Sequence, residues 1–156
     1  MPSTGPQALS SEIDLLRRMI ATPSFSRDEA ATAQLIFDHL AENGAAPRRY
    51  LNNVYALSEG FAPGRPTLLL NSHHDTVRPA ASYSLDPFSP DMREGCLYGL
   101  GSNDAGASVA ALTNTFLRLR TASLPFNLLL AVTAEEEVGG ENGMRAFLPH
   151  LKEEGI

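Results

Sequence analysis

The stretch Thr67-Leu68-Leu69-Leu70-Asn71-Ser72-His73-His74-Asp75 decides the fold, because an apolar run passes directly into imidazole and carboxylate groups. Short apolar runs bounded by turn residues fit buried strands. A second run, Phe126-Asn127-Leu128-Leu129-Leu130-Ala131-Val132, leads in the same way into Glu135-Glu136-Glu137. Helical patterns lie before, between and after these two segments. Strands alternating with helices predict an α/β fold, a central, mostly parallel sheet with helices on both faces. In such sheets ligands bind beyond the carboxyl ends of the strands, which is where both runs deliver their ionisable groups.

Working outward, Ile13, Leu16, Met19 and Ile20 recur at helical spacing, so a helix is expected from about Ser10 or Ser11 to just before Pro23. Residues 1–10 are expected to be a flexible terminus and residues 11–156 the folded part. A second helix reads from Arg27 to Glu42, with Asn43-Gly44 as its stop. Tyr50 to Ser58 reads as a strand-like segment, followed by the Gly/Pro turn region Glu59 to Pro66. Residues 78–95, with Pro79, Pro87 and Pro90, read as a long ordered loop, a kind of segment that is usually functional. Leu97 to Leu100 suggests a brief strand, Ala105 to Arg120 a helix with Asp104 just ahead of it, and Glu141 to Leu151 a last helix.

The 156 residues, 43% hydrophobic and 19% charged, belong to an ordinary globular composition. A net charge of −6 argues against a nucleic-acid or anionic-membrane surface, and the pair Arg48-Arg49 is too small to reverse that. The single cysteine, Cys96, excludes an internal disulfide framework and any cysteine-rich zinc module. No basic n-region precedes an apolar stretch at the start, and no run approaches the roughly 18 apolar residues of a membrane span. A soluble cytoplasmic protein is therefore expected.

Three adjacent glutamates after a buried strand should crowd one another, and partial burial would add to the cost of ionising them. If Asp104 joins them, replacing it with Asn should stabilise the metal-free protein. A divalent cation would resolve the crowding, and histidine with carboxylates suits zinc, with cobalt or manganese as substitutes. Each feature also has a bland explanation. The Glu run could be a solvated turn or the first turn of a helix, Asp104 a helix N-cap, and His73-His74-Asp75 a hydrogen-bonded loop. Those explanations must all hold at once to remove the metal reading. Gly99-Leu100-Gly101-Ser102-Asn103-Asp104 fails as a dinucleotide fingerprint and as a serine nucleophile elbow, because Asp104 stands where each needs Gly.

Three blocks together resemble the superfamily of acetylornithine deacetylase, succinyl-diaminopimelate desuccinylase, aminoacylase and glutamate carboxypeptidase. They are Ser-His-His-Asp-Thr-Val (72–77), Leu-Tyr-Gly-Leu-Gly-Ser-Asn-Asp-Ala-Gly (97–106) and Thr-Ala-Glu-Glu-Glu-Val-Gly-Gly (133–140). Tyr83-Ser84-Leu85-Asp86-Pro87-Phe88 also resembles the substrate-side loop of the deacetylase branch. The resemblance implies a zinc-exopeptidase-like catalytic domain holding two Zn2+ ions. It implies His73 as a ligand of one zinc, Asp104 as the bridge, Glu137 as a further zinc ligand, Asp75 as the partner that orients His73, and Glu136 as general base. Departures from the usual pattern are Glu135 where Asp is commoner, Asn103-Asp104-Ala105 where Ala-Asp-Met is commoner, and Arg78 in place of proline.

The same resemblance implies that residues 11–156 are only the N-terminal portion of the catalytic domain. A further acidic ligand, a histidine ligand, the inserted dimerisation domain and the C-terminal part would lie elsewhere, so this piece alone is expected to bind metal poorly and hydrolyse little. The leading expectation is zinc-dependent hydrolysis of the amide of a small N-acylated amino acid, N-acetylornithine in arginine biosynthesis foremost. N-succinylornithine or succinyl-diaminopimelate desuccinylation comes second, then a dipeptidase or carboxypeptidase activity. The full-length parent is expected to be a homodimer. From a different class stands a non-catalytic metal-binding or partner-binding module, disfavoured by the intact Glu136.

Overall fold

The computed structural model describes residues 6–156. Residues 1–5 of the expected flexible terminus lie outside the described residues, and from Pro6 the chain is already helical. Helix α1 (Pro6–Ile20) starts with proline at its first position, where the missing N–H costs nothing. That start is earlier than Ser10 or Ser11. Its buried face carries Leu15, Met19 and Ile20. Helix α2 (Ala30–Glu42) buries Ala33, Ile36 and Leu40, and stops at Asn43 and Gly44, whose φ of 76° few other residues adopt.

The segment expected as one strand is a hairpin, β1 (Arg48–Tyr50) and β2 (Asn53–Leu57), turning at Leu51-Asn52. Strand β3 (Thr67–His73) comes next, then the proline-rich loop with a two-residue ladder, β4 (Met92–Arg93) and β5 (Cys96–Leu97). Helix α3 (Ser108–Leu119) leads to β6 (Asn127–Thr133), and α4 (Ala146–Glu153) comes last.

The main sheet has the order β1-β2-β6-β3. Its β3–β6 pair is parallel, whereas β1–β2 and β2–β6 are antiparallel. The α/β class and the helix-flanked sheet are as expected, and the parallel pair is the part that carries the ionisable groups. Strand β6 is buried along its whole length. Leu128, Leu130 and Val132 pack with α1, α2 and α3 on one face, while Leu129 and Ala131 meet Phe147 and Leu151 of α4 on the other. Each such leucine contributes roughly 1.5–3 kcal/mol by leaving water.

Strand β3 departs from expectation. Its apolar run predicts burial, yet Leu68 is 48% and Leu69 37% exposed. The reason is its place at the edge of the sheet: among the described residues no strand pairs with its outer side. No helix among the described residues is long and apolar enough to cross a membrane.

Candidate metal centre

Two adjacent parallel strands end at the same edge of a sheet, so the loops that leave β3 and β6 are brought together. The register sets His73 opposite Thr133, and the His74 N–H extends the ladder to the Thr133 carbonyl at 3.0 Å. Asp75 therefore comes level with the turn after β6. Its carboxylate is fully buried, accepts three hydrogen bonds and faces His73 Nδ1. Oδ1 takes the Glu136 N–H at 3.0 Å and lies 3.4 Å from His73 Nδ1. Oδ2 takes the Ser26 hydroxyl at 2.7 Å and the Glu137 N–H at 3.2 Å. Burial alone would raise the Asp75 pKa, but these donors outweigh it and hold it down at about 2.

His73 Nδ1 also lies 3.2 Å from the Asp75 carbonyl oxygen, which can only accept, so Nδ1 carries a proton. That leaves Nε2 facing the open side, 3.1 Å from Asp104 Oδ1 and 3.7 Å from Glu136 Oε2. The hydrogen bond to Asp75 raises the His73 pKa to about 9 against the opposing effect of burial.

Asp104 reaches this place because the chain before α3 is not helical. Gly101, at φ 70°, starts an irregular turn over Ser102–Ala107 in which Asp104 and Ala105 leave helical φ/ψ. Helix α3 begins only at Ser108 and has no side-chain cap. The N-cap explanation of Asp104 is thereby excluded. Its carboxylate is 77% exposed and leans on His73.

Ligand atoms of His73, Asp104 and Glu137 all lie within 4.8 Å of one another. One imidazole nitrogen and two carboxylates at this spacing form a donor set that suits zinc. Burial and then the negative charge of Asp104 raise the Glu137 pKa. Glu136 stands beside the group with its side chain 61% exposed.

Glu135 does not join the cluster, contrary to the expected crowding of three glutamates. At φ 57° it turns to the far side of the loop, where it is buried and accepts the Asn142 N–H at 3.2 Å and Asn142 Nδ2 at 2.8 Å. His74, next to His73, points into the core. There Nε2 meets the Asn52 carbonyl at 2.9 Å and Nδ1 the Thr32 hydroxyl at 2.9 Å. All five expected site residues, His73, Asp75, Asp104, Glu136 and Glu137, thus stand together. Ser26 joins them without any warning in the sequence, since nothing in Pro23-Ser24-Phe25-Ser26 marks it as part of a site.

A cleft of about 350 Å³ runs from Asp104 and Glu137 past Asn103 and Ser102 to Tyr83. Tyr83 also lines a neighbouring cleft of about 500 Å³ with Ser82, Leu85, Asp86 and Tyr98. Both fall in the size range of small-molecule sites.

The sequence model for peptidase family M20/M25/M40 matches residues 69–156. The chain is 33% identical over 155 residues to a succinyl-diaminopimelate desuccinylase of Xylella fastidiosa, covering 94% of this chain and 40% of that protein. It is 30% identical over 160 residues to the enzyme of the same name from Delftia acidovorans, covering 94% and 41%. The chain thus spans about two fifths of the length of these curated relatives. Among solved structures it resembles the Bacillus subtilis YXEP protein, described as a dinuclear metal binding peptidase, with TM-score 0.70 at 20% identity over 96% of this chain and 41% of that one. It also resembles the metallo-carboxypeptidase Sso-CP2 of Sulfolobus solfataricus, with TM-score 0.70 at 18% identity over 97% and 36%. At these identities the structural likeness establishes the fold.

Proposed function

The chain belongs to peptidase family M20/M25/M40, and from that membership we propose that its full-length parent is a di-zinc hydrolase of the amide bond in a small N-acylated amino acid. The observation that carries the reading is the convergence of His73, Asp104 and Glu137, with the Glu136 carboxylate alongside but outside that group. A pure binding module has no use for that extra carboxylate. The donor set fits zinc. His73 presents Nε2 because Asp75 holds Nδ1, and Asp104 and Glu137 supply the oxygens. Two such cations polarise the scissile carbonyl and acidify water when bound.

The chain's own residues would do the rest. Glu136, exposed beside the ligands and anchored through its N–H to Asp75, takes a proton from the attacking water and returns it to the leaving amine. Asp75 keeps the His73 ring in one tautomer and orientation. The clefts around Tyr83 would receive the amino-acid and acyl parts.

The desuccinylase names of the curated relatives favour an N-succinyl diamino acid, such as N-succinyl-diaminopimelate, over N-acetylornithine. A lysine-pathway role is accordingly preferred to the arginine-pathway role expected from sequence. The exposed leucines on the β3 edge support the view that these residues are one portion of a larger catalytic domain. A homodimeric, cytoplasmic parent completes the proposal. The test is hydrolysis by the full-length protein of N-succinyl-diaminopimelate beside N-acetylornithine, before and after chelation. Chelator-sensitive release of succinate supports the reading. Preference for the acetyl substrate would overturn the desuccinylase assignment, and no hydrolysis of either would overturn the whole.

A further inference from the structure

Asp75 is held by donors from three separate segments, and only one of them is a side-chain hydroxyl. Ser26 Oγ donates to Asp75 Oδ2 at 2.7 Å, from a position 49 residues earlier in the chain. A hydroxyl bonded to a carboxylate forms a short, charge-assisted bond of this kind. We propose that Ser26 is a positioning residue of the metal centre: its hydroxyl fixes the rotation of the Asp75 carboxylate and, through it, the ring of His73.

Segment Ser24–Ser26 is itself anchored independently of that hydroxyl. The Thr76 N–H donates to the Ser24 carbonyl at 2.8 Å and the Ser26 N–H to the Thr76 carbonyl at 3.3 Å, so the segment runs parallel to the chain just beyond β3. Phe25 packs edge-on against Phe88 at 6.0 Å and lies under the Arg78 guanidinium at 4.6 Å. The hydroxyl is thus delivered to Asp75 by a fixed backbone. Removing it leaves every one of these anchors in place, so a folded protein is expected.

The division of labour on Asp75 gives the hydroxyl its effect. Oδ1 must serve both the Glu136 N–H and the side facing His73 Nδ1, which it does only in one rotation of the carboxylate. Oδ2 is kept on the opposite side by Ser26 and the Glu137 N–H. Without the hydroxyl a single main-chain donor remains on Oδ2 and the carboxylate gains rotational freedom. Of the two Asp75 groups facing His73 Nδ1 only the main-chain carbonyl at 3.2 Å then stays fixed, so the aim of Nε2 is loosened. Partners that orient a metal-binding histidine typically change metal affinity by about 10–100-fold when removed. Ser26 acts one step further out, so the low end, about tenfold, is expected.

The inference rests on the proposed metal centre, and the experiment separates the two. Co2+ is titrated into the full-length protein and its Ser26→Ala, Ser26→Thr and His73→Ala variants, with calorimetry for affinity and visible absorption for ligand geometry. Amide exchange at Glu136 and Glu137 is measured on the same proteins without metal. Ser26→Ala should weaken Co2+ binding about tenfold, alter the absorption band, and speed exchange at both amides. Ser26→Thr, which retains the hydroxyl, should restore all three. Unchanged affinity, spectrum and exchange in Ser26→Ala, with binding lost in His73→Ala, would overturn the role of Ser26 alone. Binding that survives His73→Ala would overturn both.

Discussion

The main-chain N–H of Glu136 donates to Asp75 Oδ1 at 3.0 Å, and this bond ties the loop after β6 to the loop after β3. It makes the position of the proposed general base depend on the same carboxylate that lies 3.4 Å from His73 Nδ1. Because the Asp75 carboxyl is fully buried and fully hydrogen-bonded, its charge also stabilises the fold. Its folded-state pKa, about 2, lies below the ordinary 3.8. The contribution is therefore present above pH 3.8 and lost as pH falls towards 2, with a size of about 2.5 kcal/mol. Asp75→Asn should lower the stability of the metal-free protein at pH 7 by about 2–3 kcal/mol and remove this acid-dependent loss. Urea denaturation between pH 2 and 7 measures both. An Asn variant as stable as the wild type would show that the donors around Asp75 have other partners.

His74 predicts a separate step at higher pH. Burial lowers its pKa to about 4, against an ordinary 6.5, and its two hydrogen bonds suit the neutral ring with the proton on Nε2. A depressed histidine pKa means that the unfolded chain takes up the proton first. Stability from neutral His74 is complete above pH 6.5 and declines by about 3 kcal/mol as pH falls towards 4. In NMR titrations of the metal-free protein the His74 ring should stay neutral down to about pH 4, while His73 keeps its proton up to about pH 9. Coincident titration of the two rings near pH 6.5 would contradict the opposed environments.

Much of this centre is legible in the sequence. Apolar runs ending in His73, Asp75, Glu136 and Glu137 reveal both strands and the groups they deliver, because strand ends and ionisable groups are local features. Features that depend on three-dimensional neighbours are not legible. Ser26 belongs to the site only because Thr76 pairs with its segment. The outward turn of Glu135 arises from its positive φ and from Asn142, neither of which a run of three glutamates discloses. The leucines of β3 read as buried because a continuous apolar run usually is, whereas exposure is set by whether a strand lies alongside. Helix α3 begins later than its apolar periodicity suggests because the turn carrying Asp104 precedes it.

Asp104→Asn illustrates how the geometry reverses a sequence expectation. Crowded carboxylates would make this change stabilising, but Asp104 Oδ1 sits 3.1 Å from His73 Nε2, a ring that stays protonated to about pH 9. Relief of repulsion with Glu137 is thus offset by loss of attraction to His73. The Asp104 side chain is also 77% exposed, so solvent screens both effects. A change within about 0.5 kcal/mol in the metal-free protein is expected by thermal or urea unfolding. Stabilisation well beyond that would restore the crowding model. In the presence of Zn2+ the same substitution should lower metal retention strongly, since it removes the negative charge and one of the two carboxylate oxygens of a proposed ligand.

Glu136→Gln tests the division between holding the metals and moving the proton. The Glu136 side chain is not among the three groups within ligand distance of one another, and its link to Asp75 is made by its main chain, which the substitution leaves intact. Gln has nearly the same shape and cannot accept the water's proton. In the full-length protein the variant should keep its zinc content and its melting temperature while hydrolysis falls by at least about 10²–10⁴-fold, the range associated with a positioned acid–base group. Glu137→Gln is the informative companion, because it should lose zinc and activity together. Zinc analysis after dialysis, beside initial rates, distinguishes the two variants. If Glu136→Gln lost its zinc, the carboxylate would be a ligand and the proton carrier would have to be sought elsewhere. If it kept both zinc and full activity, amide hydrolysis with Glu136 as base would be excluded.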